Sequence, residues 1–253
     1  MSKRLRIVTA IILTITTVSV LAVAFALSVR ADRSPAEAKI NYEDVMSNSL
    51  NVVKTQKDGY LVYAPEGKVE WALLFYVGTA MRADNYDAVM NSLASHGVAV
   101  IVSENALADL MYEETEKAFE EYPDAKYFIG GHSQGGGAAI RRAAENLDKT
   151  AGVILYSPMI VNDSTRKDKD IPAIYFEAEN DRVLTADFKA ESASRMNAEC
   201  KFVYLQGANH MCYGAADFAP FDGENTRPLA EIQDEIALKT LKFVQRAINE
   251  YNE

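Results

Sequence analysis

At 253 residues and a formal net charge of −10, the chain suits one large α/β domain with a short appendage. Residues 1–33 carry five basic side chains and one acidic one, a net of +4, so the remaining 220 residues hold −14. A body that acidic is a poor partner for nucleic acid or other anionic polymers and is repelled by anionic headgroups.

The appendage comes first. Lys3, Arg4 and Arg6 precede an uncharged, mostly apolar run from Ile7 to Val29, and Arg30, Asp32 and Arg33 follow it. Those 23 residues would reach about 35 Å as a helix, enough to cross a bilayer. Ala24-Phe25-Ala26 and Val29-Arg30-Ala31 resemble signal-peptidase sites. Residues 1–33 therefore read as a signal-anchor or as a long signal peptide, the anchor being favoured by the length of the apolar run. In both cases the leading positive charges keep the N-terminus inside and send the rest across. The folded domain is then extracytoplasmic, either tethered to the membrane or secreted. Residues 34–50 are a polar tether with a short helix near Tyr42–Met46, and residues 51–253 form the domain.

Asp58-Gly59, flanked by Val52–Thr55 and Tyr60–Tyr63, marks a hairpin. Trp71–Val77 is a near-continuous apolar run, the pattern of a strand buried on both faces. A helix over Asn85–Ser95 stops at Gly97, the strand Val98–Val102 follows, and a helix over Leu107–Tyr122 ends at Pro123. Lys126–Gly130 reads as a short buried strand, and Gly136–Ala144 as a helix with almost no bulk in its first turn. Strands at Gly152–Tyr156, Ala173–Phe176 and Lys201–Leu205 come next, with a helix between the last two and another over Leu229–Glu250. Repeated βα units imply an α/β fold with a doubly wound, mostly parallel sheet and helices on both faces. Only about a dozen residues separate Ser157-Pro158 from Ile171-Pro172. That is too few for a cap domain, so the mouth of any site is expected to be open.

The two cysteines read as unpaired. Cys200 opens a strand and Cys212 lies past its far end, about 16 Å along extended chain, whereas a disulfide spans at most about 7 Å between Cα atoms. Scattered cysteines and three histidines offer no metal site.

The most informative run is Gly131-His132-Ser133-Gln134-Gly135. It fits G-x-S-x-G, the sharp strand-to-helix turn that lifts a serine hydroxyl above a sheet as a nucleophile. The hydroxyl needs a base, and the base needs a third group to fix its tautomer. Of the three histidines, His96 reads as helix capping, and His132 diverges from Ser133 in a tight elbow. His210 remains, on a short loop at the carboxyl edge of the sheet, where catalytic groups of open α/β sheets collect. The acid is expected between Ser133 and His210 in chain order. Asp181, in the turn past the strand that ends near Glu177, is the best placed. Glu177, Glu179 and Asp163 are its rivals, and N-capping is its competing role, which Thr185 or Asp187 could serve instead. An oxyanion hole needs two backbone N–H groups. One is expected from Gln134, the other from Thr79, with Ala80 as second choice.

Taken together, the chain resembles the α/β-hydrolases, in particular the capless, dienelactone-hydrolase-like group called alpha/beta hydrolase fold-5. The resemblance runs from about Trp71 to Ile248 and rests on Leu74–Gly78, Phe128–Gly136, Glu179-Asn180-Asp181, Gly207–His210 and Asp222-Gly223-Glu224. It implies Ser133, Asp181 and His210 as nucleophile, acid and base. Two positions depart from the usual pattern. Val77-Gly78-Thr79 stands where Pro-Gly-Gly is common, and Gln134 stands where leucine is frequent. The function implied is hydrolysis of an ester or related acyl bond on a small molecule through an acyl-enzyme, with no cofactor or metal. Acyl transfer by the same residues, or a non-catalytic binding role on the same scaffold, are the alternatives. Tyr213, Phe218 and Phe221 either line an acyl pocket or pack their loop onto the body.

Overall fold

The Asp58-Gly59 turn closes as expected: Gly59 takes φ +89°, and the Lys57 N–H donates to the Tyr60 carbonyl at 2.9 Å. Around it the computed structural model describes residues 49–104, 116–161, 171–215 and 221–252. The appendage, nearly all of the tether, the start of the helix expected from Leu107, the loop with Asp163, and Phe218 lie outside the described residues. Among the described residues no helix is long and apolar enough to cross a membrane.

The strands are β1 (Val52–Gln56), β2 (Tyr60–Pro65), β3 (Trp71–Tyr76), β4 (Val98–Ser103), β5 (Lys126–His132), β6 (Thr150–Tyr156), β7 (Ala173–Ala178) and β8 (Lys201–Leu205). The helices are α1 (Asp87–Ser95), α2 (Gln134–Glu145), α3 (Ala186–Ser194) and α4 (Leu229–Asn252), together with helical residues 116–121. One eight-stranded sheet runs in the order β1-β2-β4-β3-β5-β6-β7-β8. The hairpin pairs antiparallel at one side, and every pairing from β4 to β8 is parallel.

Both faces are covered, which is why β3 is apolar at every position. Leu73 and Phe75 face a core closed by Val89 and Leu93 of α1 and by Ile232, Ile236 and Leu241 of α4. Leu74 and Tyr76 face the other core, closed by Ala139 and Ile140 of α2 and by Ala118 and Phe119. After β3 the chain turns to β4 on one side, then crosses back to β5 on the other. The loops leaving β3 and β5 therefore diverge at one crevice above the carboxyl edge, the switch point where such sheets bind ligands. Elsewhere the sequence reading holds with shifts of a few residues. The expected first helix opens instead as a 3-10 turn, Ala83–Tyr86, before α1. Both cysteines are buried, and neither is in a disulfide.

Strand β5 and helix α2 meet nearly backbone to backbone. A Cβ on Gly131 would overlap the carbonyl of Gly135, and one on Gly135 would overlap the carbonyls of Tyr76 and Val77 at the end of β3. Neither neighbour is a side chain that can swing away. Gly135→Ala is therefore expected to cost about 1–3 kcal/mol or more and to lower the melting temperature by roughly 3–10 °C. A thermal melt followed by circular dichroism measures this; an unchanged melt would mean the helix is not held at that distance.

Candidate active site

Ser133 sits between β5 and α2 at φ +53°, ψ −119°, a conformation that costs a non-glycine residue about 1–3 kcal/mol. Local hydrogen bonds hold it there. Its N–H donates to the Tyr156 carbonyl at 3.0 Å, and its carbonyl accepts from the N–H groups of Met159 (2.7 Å) and Gly136 (3.0 Å). The serine is buried, with 8% of its surface exposed.

His210 opens a 3-10 turn, His210–Tyr213, beyond β8, and Asp181 lies in the turn after β7. The Nδ1–H of His210 donates to Asp181 Oδ2 at 2.8 Å, with the two side chains only 3% and 0% exposed. The other carboxylate oxygen accepts the N–H groups of Val183 (2.9 Å) and Leu184 (3.0 Å). Burial alone would raise the Asp181 pKa, but the hydrogen bond and charge of His210 and the Leu184 N–H outweigh it and hold the group below its ordinary value. An ionised acceptor on Nδ1 leaves Nε2 as the basic nitrogen. Neither that Nε2 nor Ser133 Oγ has a hydrogen-bond partner among the described residues. Such contacts commonly tighten only once substrate is bound.

The two rivals among the described residues, Glu177 and Glu179, are engaged elsewhere. Glu177 pairs with Lys189 at 3.5 Å, and Glu179 accepts the Gly207 N–H at 2.7 Å. The N-cap of α3 is Thr185, which frees Asp181 from that role. His96 bonds back to the Ser92 carbonyl of its own helix through Nδ1, at 2.8 Å.

The loop after β3 is a tight turn in which the Met81 N–H donates to the Gly78 carbonyl at 3.0 Å and Ala80 takes φ +65°. That geometry is a type II turn. The backbone N–H groups of Thr79 and Gln134 have no partner among the described residues. Their side chains meet: the Thr79 hydroxyl donates to Gln134 Oε1 at 2.7 Å. The two residues that depart from the family pattern thus form one contact.

The roles of four residues at the site escaped the sequence reading. Asp222 accepts the N–H of Arg182 (3.2 Å), next to Asp181, and that of Met211 (3.1 Å), next to His210. Gly223 lies so close to Asn180 that a Cβ would overlap its carbonyl. The Asp-Gly pair was visible, but a role that depends on two backbone groups leaves no side-chain signal. His132 and Tyr86 are the other two. The His132 Nε2–H donates to the His210 carbonyl at 3.0 Å, and Nδ1 accepts the Tyr86 hydroxyl at 2.9 Å. Of the loop aromatics, Tyr213 packs face to face on Tyr156 with centroids 5.1 Å apart, while Phe221 is 90% exposed. A groove of about 290 Å³ at the opposite edge, between Ile171, Lys201, Lys242 and Arg246, contains neither serine nor histidine.

The profile of the alpha/beta hydrolase family matches residues 72–234. A predicted CIB-like hydrolase from Thermoplasma acidophilum superposes with a TM-score of 0.59 at 14% identity, over 79% of this chain and 100% of the other. Dienelactone hydrolase from Anabaena variabilis does so with a TM-score of 0.58 at 14% identity, over 79% and 98%. For Est1E from Butyrivibrio proteoclasticus the TM-score is 0.54 at 13% identity, over 77% and 99%. Identities this low speak to the shared fold. Among curated proteins, none matches the chain.

The buried histidine makes stability depend on pH. Burial first, and the nearby His210 second, hold the His132 pKa well below 6.5. The unfolded chain gains this proton near pH 6.5 and the folded chain does not. The contribution of His132 is therefore complete above that pH and is lost as pH falls toward the folded value, by up to about 1.4 kcal/mol per pH unit. Asp181 acts lower on the scale: its depressed pKa adds stability above about 3.9 that is lost as pH falls through the folded value. Urea unfolding at about pH 7.5 and 5.5 should show the chain losing stability, and His132→Gln should remove most of that loss.

Proposed function

The chain belongs to the alpha/beta hydrolase family, and on that premise we propose that it is a serine hydrolase that cleaves an ester or related acyl bond through Ser133, His210 and Asp181. The observation that carries the reading is the buried 2.8 Å hydrogen bond from His210 to Asp181, on the same sheet edge as the strained serine. A desolvated carboxylate–imidazole pair with Nε2 left as the basic nitrogen is the arrangement a hydroxyl nucleophile requires.

Asp181 fixes the His210 proton on Nδ1, so Nε2 takes the proton of the Ser133 hydroxyl. Oγ bonds to the acyl carbon, and the carbonyl electron pair moves onto oxygen, toward the N–H groups of Gln134 and Thr79. Collapse of that adduct breaks the bond to the leaving alcohol, which takes the proton from Nε2. Water then repeats the sequence on the acyl-enzyme: its proton goes to Nε2, the acid departs, and Ser133 regains its hydrogen. The substrate is a small-molecule ester or acyl donor. Lys3, Arg4 and Arg6 before the apolar run Ile7–Val29 support placement of the site outside the cytoplasm, on a membrane tether or after secretion.

The test is labelling of the full chain, purified in mild detergent, with a fluorophosphonate probe, beside turnover of a short-chain p-nitrophenyl ester. Both are expected in the wild type. Ser133→Ala should abolish labelling and lower turnover by at least about 1,000-fold. Asp181→Asn should lower turnover by about 100- to 10,000-fold, because the wrong histidine tautomer then faces the serine. A folded wild type that takes no label would sink the proposal. Labelling without ester turnover would direct attention to acyl acceptors other than water.

A further inference from the structure

His132 is the x of G-x-S-x-G immediately before the serine, and its ring is buried beneath the crevice. The chemistry of its partners fixes every proton around it. The His210 carbonyl can only accept, so His132 Nε2 carries the hydrogen of that 3.0 Å bond. Kept neutral by burial, the ring then has a bare Nδ1, and the Tyr86 hydroxyl must donate to it at 2.9 Å. The Tyr86 oxygen, in turn, accepts the Gly78 N–H at 3.0 Å. One directed chain runs from Gly78 through Tyr86 and His132 to His210. Its first link lies next to Thr79, and its last is the backbone of the residue proposed as base. The fit is close: a Cβ on Gly78 would stand 2.6 Å from His132 Nδ1, and the two imidazole rings lie 4.8 Å apart.

We infer that His132 is a positioning residue that locks the base loop and the loop after β3 to one another, with Tyr86 as its second arm. The inference rests on the serine-hydrolase reading. Asp181 holds the ring of His210 from the side through Nδ1, and His132 holds its backbone from below. Both constraints are needed to aim Nε2. The Tyr86 arm sets the height of Gly78 and hence of the Thr79 N–H. A proton on His132 Nδ1 would take away the acceptor of the Tyr86 hydroxyl and leave its buried hydrogen without that partner, so the directed chain is complete only with the neutral ring.

The two arms can be cut separately. His132→Gln keeps an amide N–H where Nε2 stood and preserves the link to His210. His132→Asn keeps an acceptor where Nδ1 stood and preserves only the Tyr86 arm. Tyr86→Phe removes the other arm. Reaction with a fluorophosphonate, resolved into the maximal rate and the half-saturating concentration, needs no knowledge of the natural substrate. His132→Asn should lower the maximal rate about 10- to 100-fold, the range for stranding a buried carbonyl, with little change in half-saturation. His132→Gln should stay within about 5-fold of wild type, and Tyr86→Phe should fall between them. Tyr127→Phe, at the far end of the same strand, removes a buried hydroxyl that donates to the Ala118 carbonyl and serves as the stability control. It should lower the melting temperature with no change in rate. If His132→Asn labels at the wild-type rate, or if rates follow melting temperature alone across all four variants, the inference is overturned. If the wild type itself takes no label, it is the serine-hydrolase reading that fails.

Discussion

The site depends on one close approach: strand β5 and helix α2 meet at a residue whose backbone is held where side-chain-bearing residues rarely go. Ser133 at φ +53° is strained, and the surrounding backbone contacts keep it so. Gly131 and Gly135 are required because their hydrogens face carbonyls where a methyl group has no room. The approach has three consequences. It raises the hydroxyl above the sheet, it starts α2 with a Gln134 N–H that has no partner among the described residues, and it brings Gln134 beside the loop leaving β3. Relaxing the serine would lose all three together.

The Asp181–His210 pair solves a different problem, how to keep a carboxylate charged out of water. Burial opposes ionisation of Asp181, yet the group sits below its ordinary pKa because His210 and the Leu184 N–H each favour the charged form. Apart from the His210 ring, its hydrogen-bond partners are backbone N–H groups, so the geometry is set by how the loops after β7 and β8 are stitched. Asp222 does part of that stitching by accepting one N–H from each loop. A third segment, distant in sequence, thus sets the relation between the two that carry the pair.

Much of this was legible in the sequence because it depends on local pattern. The apolar run of β3, the Asp58-Gly59 hairpin and the small residues opening α2 each state their own structure. Chain order with elimination among three histidines singled out His210, and the turn past β7 singled out Asp181. What stayed hidden depends on where side chains go after the backbone bends. His132 was set aside because it could not reach Ser133, and its actual partners, Tyr86 and the His210 carbonyl, are 46 and 78 residues away. The lining role left open for the aromatics resolves toward packing for Tyr213, since a stacking partner across the sheet edge has no local signature.

The elbow motif reads as three fixed residues and two free ones, and the two free positions carry a constraint of their own here. Side chains on either side of a sharp turn must leave in different directions. His132 goes beneath the crevice and, through Tyr86, fixes the Gly78 N–H; Gln134 stays above and bonds to the Thr79 side chain. The loop after β3 is therefore gripped from below and from above by the two neighbours of the serine. That loop has a left-handed residue at Ala80 and only one internal turn hydrogen bond to hold its shape. Its N–H groups can stay directed at a developing charge only if something outside the loop holds them, because a donor that must reorganise during reaction loses most of its value. Both grips are anchored on the turn that carries Ser133, the proposed nucleophile. A shift of Ser133 would therefore carry the loop with it, which couples the proposed nucleophile to the N–H groups of Thr79 and Gln134 proposed to receive the oxyanion.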